Sequence, residues 1–395
     1  MNGMKQNWEY KKLGDVCVQI CDGSHAPPQG IEFSDYPMLS SKNIFFDSLN
    51  YDEPRFLTKD DFDAENKRTN ISGGDVLLTI VGTVGRSCVV VEPFKKFVLQ
   101  RSVAVLKPKK TLLISRFLMY KMTSLSSYFE REARGVAQKG IYLKQLSQLP
   151  IPVPPLSEQQ RIVAELDLLT GIIDRQNAQL KELDTLAQSI FYDMFGDPIE
   201  NPKGWKVKKL EEVCAKIVDC PHSTPKKVDY KTNYPCIRTS ELKGGSISWD
   251  SMQYLEKEES EIRIARLKPI AGDIVFGREG TIGDAVILPE GFCFSLGQRT
   301  MLLRAESSLV LNYFLHRTLM SDWVKRQIDA VNVSSTVAHL NIKDFRQFDI
   351  PVPPLALQQS FADKIQSIEN QKAKIKTSIA DTQKFLDYTM DKYFG

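Results

Sequence analysis

The chain has 395 residues, 42% of them hydrophobic, and a formal net charge of only +3. This length allows two or three domains with buried cores, and no run approaches the ~18 consecutive apolar residues of a membrane-spanning helix. The near-neutral charge excludes an overall polybasic protein. The seven scattered cysteines and the absence of an apolar leader predict reduced thiols in a cytoplasm.

The first block, residues 1–149, alternates short apolar runs with glycine turns. Runs at 75–81, 88–91, 97–99 and 103–106 predict β-strands. The stretch at about 112–130 has helical spacing of its apolar residues. The block is therefore predicted to be an α+β domain with a twisted or barrel-like sheet.

A proline joint and a long helix follow at 150–196. The prolines at 152, 154 and 155 fix φ and predict a stiff, extended connector. Ser157 is the predicted N-cap, with Gln160 completing a capping box. The apolar heptad positions are Ile162, Leu166, Leu169, Ile173, Leu180, Leu183, Ala187, Ile190 and Met194, interrupted by Gln176.

The second half, a block at 197–348 and a joint with helix at 349–395, repeats the first. The hexapeptide Ile151–Leu156 recurs unchanged as Ile350–Leu355, and a shift of roughly 197 to 199 residues aligns most turns. Runs at 273–276 and 285–288 predict strands, and 309–329 predicts a helix. Ala356 replaces Ser157, which predicts a different helix start.

Each long helix has one apolar stripe, which requires a partner helix. If the two helices pair along their length they must be antiparallel, and the chain end returns to the first block. The predicted fold is α+β, with two domains at opposite ends of a coiled coil in a pseudo-two-fold cyclic arrangement. About 38 residues give a rod on the order of 57 Å, against roughly 34 Å for a turn of B-DNA.

The repeated joint and helix closely resemble those of the specificity subunit of type I restriction–modification enzymes. The copy at 150–163 is the stronger one, because the second departs from the pattern after Leu355. The segments 22–25 and 219–225 are similar to that family's target-recognition domains. The resemblance covers essentially the whole chain.

The resemblance implies a non-catalytic, cytoplasmic prokaryotic subunit that binds double-stranded DNA. Each recognition domain would read one half of a bipartite target, asymmetric here because the two blocks differ. The helices would set the gap and dock two methyltransferase subunits, which methylate adenines with S-adenosylmethionine. Restriction subunits would supply translocation and cleavage with ATP and Mg, so no cofactor is expected in this chain. The alternative is a two-headed protein-binding scaffold, which predicts no salt-dependent DNA affinity.

Base reading requires donors that reach the groove edges. The candidates in turns or at strand edges are Lys42, Asn43, Arg86, Arg101, Arg134 and Lys139 in the first block, and Arg238, Thr239, Arg278, Arg299 and Arg326 in the second. Arg101 and Arg299 are equivalent, which favours phosphate or scaffold roles for them. Base reading is assigned to four that differ between blocks, Lys42, Asn43, Arg238 and Arg278. Solvated surface positions are the alternative for each.

Other patterns favour structural roles. The Asp22/His25 and Asp219/His222 pairs are expected to brace loops, their carboxylates capping backbone amides, since no nucleophile accompanies them. The Cys17-Cys21-His25 spacing does not repeat in the second block, so no metal site is predicted. No catalytic residue is assigned.

Four aromatic residues near the helix ends, Tyr192, Phe385, Tyr388 and Tyr393, are predicted to contact a partner. Packing at the ends of the rod is the alternative.

Overall fold

The computed structural model describes residues 8–134, 140–280, 282–332 and 340–395. The chain forms two compact units. The first comprises Met1–Asn177 and Thr377–Gly395, and the second comprises Ala178–Lys376. Each unit thus contains one sequence block and a segment of both long helices, and the end of the chain belongs to the first unit, as predicted.

The first unit mixes short strands and helices. Its strands are β1 (Tyr10–Lys12), β2 (Cys17–Asp22), β3 (Pro37–Leu39), β4 (Ile44–Phe45), β5 (Ser48–Leu49), β6 (Arg55–Phe56), β7 (Val76–Thr79), β8 (Ser87–Val89), β9 (Val98–Leu99), β10 (Val103–Pro108) and β11 (Pro150–Pro152). Its helices are α1 (Leu13–Val16), α2 (Lys59–Thr69), α3 (Ser115–Ser124), α4 (Ser126–Arg134), α5 (Leu143–Ser147) and the start of α6 (Leu156–Phe195).

The second unit repeats most of this order. Its strands are β12 (Lys206–Lys209), β13 (Cys214–Asp219), β14 (Lys227–Val228), β15 (Pro235–Ile237), β16 (Leu242–Lys243), β17 (Ser246–Ile247), β18 (Gln253–Leu255), β19 (Ile274–Gly277), β20 (Ala285–Ile287), β21 (Ser295–Leu296), β22 (Thr300–Ala305) and β23 (Asp349–Val352). Its helices are α7 (Leu210–Val213), α8 (Lys257–Arg263), α9 (Asn312–Leu319), α10 (Asp322–Asn332), α11 (Ile342–Arg346) and α12 (Leu355–Phe394), which ends in the first unit.

The same sheet topology occurs in both units. An antiparallel sheet has the order β2-β10-β7-β8 in the first unit and β13-β22-β19-β20 in the second. A second sheet contains one parallel pair, β3 with β9 and β15 with β21. The predicted α+β class is confirmed, and every strand predicted in the first block lies in one of these sheets.

The two stretches predicted as single helices are each divided in two. The first is interrupted at Leu125, which leaves the helical conformation with φ −93° and ψ 6°. The Ser126 hydroxyl then donates to the Gly85 carbonyl at 3.0 Å, which ties the start of α4 to a glycine turn. A tertiary contact of this kind leaves no periodic signal in the sequence.

The proline joints are extended, as predicted, and each also forms a strand. β11 pairs with β1 and β23 pairs with β12, both antiparallel. The capping prediction was wrong, because α6 begins at Leu156 and Ser157 lies in its first turn. α12 begins at the equivalent Leu355, so replacing Ser157 by Ala356 does not move the start of the helix.

A buried glutamine fixes the start of each long helix. The Gln159 amide donates to the carbonyls of Leu112 and Pro154 at 2.8 and 2.9 Å, and its oxygen accepts the Ile114 N–H at 2.8 Å. Gln358 makes the same three bonds, to Leu309, Pro353 and Leu311. Both side chains are fully buried. One side chain therefore holds the start of the long helix, its proline joint and the N-cap of the earlier helix α3 or α9.

Within the first unit, segments of α6 and α12 pack antiparallel. Tyr393 donates to Glu165 at 2.7 Å, and the Gln176 amide donates to the Ser378 hydroxyl at 2.7 Å. Residue numbers therefore rise along one helix as they fall along the other. The interruption of the heptad pattern at Gln176 is a polar contact between the two helices.

Within the second unit, the same two helices also pair antiparallel. The Phe191 and Phe195 rings contact Phe361 with centroids 5.7 and 5.3 Å apart. Lys372 donates to Asp184 at 2.8 Å. The ion pair explains the polar residue at a heptad position, and the predicted antiparallel pairing is confirmed in both units.

We predict that Gln159→Ala lowers the free energy of unfolding by about 2–4 kcal/mol, because three backbone groups lose their hydrogen bonds to this buried side chain. The neighbouring exposed Gln160 supplies the matched control, Gln160→Ala, which we expect to be nearly neutral. Denaturant unfolding of the full chain measures both variants. Equal stability of the two would contradict the role given to Gln159.

A second prediction concerns His316, which is buried in the second unit. Its Nε2 donates to the Ala285 carbonyl at 2.9 Å, and burial lowers the pKa of the imidazole to about 4. Because the unfolded chain takes up a proton near pH 6.5 and the folded chain does not, stability is lost as the pH falls from about 6.5 to 4. Between pH 7 and pH 5 the loss is about 2 kcal/mol.

The equivalent residue in the first unit is the buried Met119, which suggests the control. His316→Met removes the titrating group, so its unfolding free energy should change less between pH 7 and pH 5 than that of the unsubstituted chain. Parallel pH profiles for the two proteins would show that His316 is not the group responsible.

Candidate nucleic-acid interface

Three turns of the first unit meet at one edge of its sheets. The turn Ser41–Asn43 follows β3, the loop 80–86 connects β7 to β8, and the turn 100–102 lies between β9 and β10. The Ser41 N–H donates to the Ser102 hydroxyl at 3.0 Å, and the Ile80 N–H donates to the Ser102 carbonyl at 2.9 Å. We call this set of turns the turn edge of the first unit.

The second unit has an equivalent turn edge, formed by Thr239–Glu241, 278–283 and 297–300 (of which 281 lies outside the described residues). The Gly297 N–H donates to the Ile237 carbonyl at 2.7 Å, and the Arg278 N–H donates to the Arg299 carbonyl at 3.0 Å. Gly283 has φ +98°, as Gly85 has φ +94°, and a Cβ on Gly85 would approach the Ser126 backbone to 3.0 Å. The glycines predicted as turns therefore allow close packing against a helix.

The Asp22/His25 pair braces the turn edge of the first unit. The buried Asp22 carboxylate accepts from Arg68 of α2 at 2.5 Å and contacts the His25 ring at 2.7 Å. A bracing role was predicted, but the partner is an arginine rather than backbone amides. No local sequence pattern indicates this contact, because Arg68 lies 46 residues from Asp22.

The second unit braces the corresponding loop differently. Arg263 of α8 is buried and donates to the carbonyls of Leu296 and Ser223, both at 3.1 Å. Asp219 lies 3.3 Å from both His222 and Arg278. The Arg278–Asp219 contact lacks hydrogen-bond geometry, so the buried atoms Arg278 Nε and Asp219 Oδ1 have no hydrogen-bond partner within the described residues.

The structure separates the predicted base readers of the first turn edge. Lys42 is exposed, and its Nζ lies 3.6 Å from Glu53, which is itself 92% exposed. Asn43 is buried; its oxygen accepts the Ser40 N–H at 3.0 Å and its amide donates to the Asp52 carbonyl at 2.9 Å. The geometry of Asn43 favours a loop brace over a base contact.

The two remaining arginines of this turn edge, Arg86 and Arg101, differ in the contacts that their side chains make. Arg86 lies over the Phe45 ring at 5.2 Å and donates to the Ile44 carbonyl at 3.5 Å. Arg101 is exposed. Its N–H donates to the Ser24 carbonyl at 2.9 Å, and within the described residues its guanidinium has no hydrogen bond or ion pair. The side chain of Arg134, in α4, and the whole of Lys139 lie outside the described residues.

In the second unit, Arg238 is held by its own turn. Its guanidinium donates twice to the buried Glu241, at 3.2 and 2.7 Å, and Glu241 also accepts the Arg238 N–H at 2.8 Å. Glu241 is thus the equivalent of Asn43, with the same buried bond to the start of the turn. Neither Arg238 nor Asn43 projects freely from the edge.

The other predicted residues of the second unit lie in three settings. Thr239 is half-buried at the start of the turn, and Arg278 is 7% exposed. The exposed Arg299 has a left-handed φ of +68° and lies 3.2 Å from Glu279. Arg326 is exposed on α10, away from the turn residues in sequence. The equivalent Arg101 and Arg299 are therefore both exposed cations on their turns.

The four aromatic residues predicted to contact a partner also differ. Phe385 and Tyr388 of α12 are 53% and 66% exposed. Tyr393 is buried between α6 and α12, where Arg161 donates to its hydroxyl at 3.2 Å, so it packs the helix pair instead. Tyr192 is half-buried against the core of the second unit.

Five of the seven cysteines are buried, whereas Cys21 is half-buried and Cys293 is exposed. Cys17, the first residue of the zinc-like spacing, is buried, and this burial raises the pKa of its thiol to about 12. Across the described ranges, no cluster of His, Cys, Asp and Glu side chains is suited to hold a metal ion. None of the helices described in either unit is long and apolar enough to cross a bilayer.

Comparison with known proteins now assigns the family. The sequence model of the type I restriction modification DNA specificity domain matches twice, at residues 5–185 and 202–382. The chain belongs to this family. It is a type I restriction–modification specificity subunit with two tandem recognition domains, which confirms the resemblance seen in the sequence.

Several specificity subunits are similar over most of the chain. The MjaVIII specificity subunit of Methanocaldococcus jannaschii is 22% identical over 94% of this chain and 88% of its own length. The MjaIX specificity subunit of the same organism is 23% identical over 93% and 89%. The crystal structure of an S subunit from M. genitalium has a TM-score of 0.58 at 13% identity, covering 100% of this chain and 98% of its own. At this identity the last comparison supports the fold alone.

Proposed function

We propose that this specificity subunit is the non-catalytic DNA reader of its complex. Each recognition domain reads one half of an asymmetric bipartite target, and the long helices fix the gap between the halves. Methyltransferase subunits carry S-adenosylmethionine and methylate adenines, and restriction subunits supply ATP- and Mg-dependent cleavage. A solved structure with a TM-score of 0.55 and 18% identity to this chain describes the complex assembly of a type I R-M system.

The observation that carries this proposal is that the two units share the backbone arrangement of the turn edge but differ in its exposed side chains. Asn43 and Glu241 hold their turns by the same buried bond, while the exposed Lys42 is replaced by Ser240 in the second unit. One backbone arrangement thus presents different donors. Such a change alters which base edge is recognised without changing the scaffold.

We assign phosphate contacts to Arg101 and Arg299. Both are exposed on equivalent turns, and phosphate contacts carry no sequence information, so both halves can keep them. Base reading is assigned to Lys42 in the first unit and to Arg278 in the second. Arg278 begins the 278–283 loop of the turn edge, and its guanidinium lies 3.3 Å from Asp219 and 3.8 Å from Glu279. Base reading by Arg278 therefore requires its side chain to exchange these carboxylates for a base edge.

The helices also suit the spacing role. α6 and α12 each have 40 residues, which corresponds to a length on the order of 60 Å. Their antiparallel pairing in both units holds the two helices in a fixed register. We further assign methyltransferase docking to the exposed face of α12 that contains Phe385 and Tyr388, since aromatic residues are enriched at interfaces.

Sequencing of methylated adenines in a host that expresses this chain with its methyltransferase tests the function. We expect one asymmetric motif of two half-sites separated by a fixed gap. Inserting four residues into each helix adds roughly 6 Å, and should lengthen the preferred gap by about two base pairs of 3.4 Å rise. The half-site sequences should be unchanged. A single uninterrupted motif, or a gap unaffected by the insertion, would contradict the proposal.

Two substitutions in the first unit distinguish base contacts from phosphate contacts. Arg101→Gln should weaken binding of all DNA sequences about equally and reduce the salt slope by about one. Lys42→Gln should instead relax preference at one base position, by about 1–3 kcal/mol. The exposed Lys110, after the far end of β10, gives the control Lys110→Gln.

The measurement is the affinity of the assembled methyltransferase complex for a panel of half-site variants at several salt concentrations. Identical effects of Arg101→Gln and Lys42→Gln across the panel would remove the distinction between the two residues. Loss of affinity in Lys110→Gln would place DNA elsewhere on the first unit.

A further inference from the structure

The second unit contains a cavity of about 840 Å³ between the β16–β17 hairpin, α9 and α12. Its wall includes Trp249 and Ile365 beside charged groups of α9 and α12. No described residue of this unit's turn edge lines the cavity, so the cavity is separate from the candidate interface described above. It is therefore a separate feature of this recognition domain.

Arg317 of α9 lines this cavity without a charge partner. Among the residues that the structure describes, no carboxylate lies within 4.0 Å of its guanidinium, and the guanidinium forms no hydrogen bond. Burial lowers the pKa of Arg317, an effect only partly opposed by the more distant Glu369 and Asp184. These two carboxylates are bonded instead to Lys372, at 2.9 and 2.8 Å.

The first unit shows what fills the corresponding space. There, Arg116 of α3 donates twice to Asp47, at the tip of the β4–β5 hairpin, at 3.0 and 2.7 Å. Arg116 also donates to Asp167 of α6 at 2.7 Å, and Tyr120 donates to Asp167 at 2.6 Å. Hairpin, α3 and long helix are thus joined by two carboxylates around one guanidinium.

The second unit lacks both of these carboxylates. Counted from the starts of α3 and α9, Arg317 is equivalent to Tyr120 of the first unit. Counted from the starts of α6 and α12, Gln366 is equivalent to Asp167. The hairpin tip has Gly245 in place of Asp47. Arg317 therefore lies one helical turn after the position equivalent to Arg116. The second unit has no counterpart of Asp47 and Asp167, the two carboxylates that neutralise Arg116 in the first unit.

The lining favours a protein side chain over a nucleic acid. Its cations, Arg317, Lys372 and Lys376, are balanced by Asp184, Glu290 and Glu369. A polyanion gains little from a surface without net positive charge. One carboxylate on a largely apolar segment fits better, because it can pair with Arg317 while its neighbours contact Trp249.

We propose that this cavity takes an acidic side chain of the methyltransferase partner, whose carboxylate pairs with Arg317. The proposal rests on the proposed function, since it requires that partner. It places a docking contact in the second recognition domain that is distinct from Phe385 and Tyr388. The first domain satisfies its own arginine, so this contact has no counterpart there.

The test compares the association of the purified cognate methyltransferase subunit with full-length variants of this chain. We expect Arg317→Gln to raise the dissociation constant by at least about tenfold, because the partner's buried acid is left unpaired. Arg317→Lys keeps the charge and should have a smaller effect. Lys257→Gln, on the exposed side of α8 and outside the cavity, is the control and should bind normally.

A second readout separates the partner from DNA. At protein concentrations above the dissociation constant for the methyltransferase, the Arg317→Gln chain is assembled with that subunit. This complex should bind its DNA target with unchanged affinity. Unchanged association of Arg317→Gln overturns the inference and leaves the proposed function standing. Normal association with loss of DNA binding also overturns it, since the cavity then contacts DNA. If the unsubstituted chain binds no methyltransferase, the inference about Arg317 and the proposed function are both contradicted.

Discussion

The buried glutamine at the start of each long helix is the contact on which the rest of the architecture depends. Gln159 and Gln358 each donate to one carbonyl of the proline joint and to one carbonyl of the loop before α3 or α9. Each also accepts the N–H of the N-cap residue of that helix. A fully buried amide left unbonded costs free energy, so these bonds form together or not at all. They therefore fix the direction in which each helix leaves its recognition domain. The proposed spacing role requires that direction to be constant.

The periodic features of this fold were accessible from the sequence. Heptads predicted the helices, one apolar stripe per helix predicted the antiparallel pairing, and repeated glycine turns located the strand ends. These signals are local or repeat themselves along the chain. The capping error has a simple cause, since Ser157 and Gln160 match a capping box while the bonds that fix the helix start come from Gln159, one residue before Gln160.

The candidate interface was less predictable, because it depends on contacts between residues distant in the chain. Lys42, Asn43 and Arg238 look alike as exposed donors in turns. Only the fold shows that Asn43 is buried and that Arg238 is held by Glu241. Likewise, the arginines that brace the Asp-x-x-His loops, Arg68 and Arg263, occupy unremarkable positions on short helices. Their roles follow from where α2 and α8 pack, which no spacing rule gives.

Comparison of the two units indicates how such a domain changes its target. The shared contacts either use backbone groups, as in the turns, or buried amides and carboxylates that do the same work, as Asn43 and Glu241 do. Side chains outside these contacts differ freely, including the charges around Arg116 and Arg317. Because the scaffold bonds do not involve the exposed donors, a substitution at Lys42 leaves the turn intact. Under the proposed function, recognition can therefore diverge between the two units while the scaffold of each turn edge is retained.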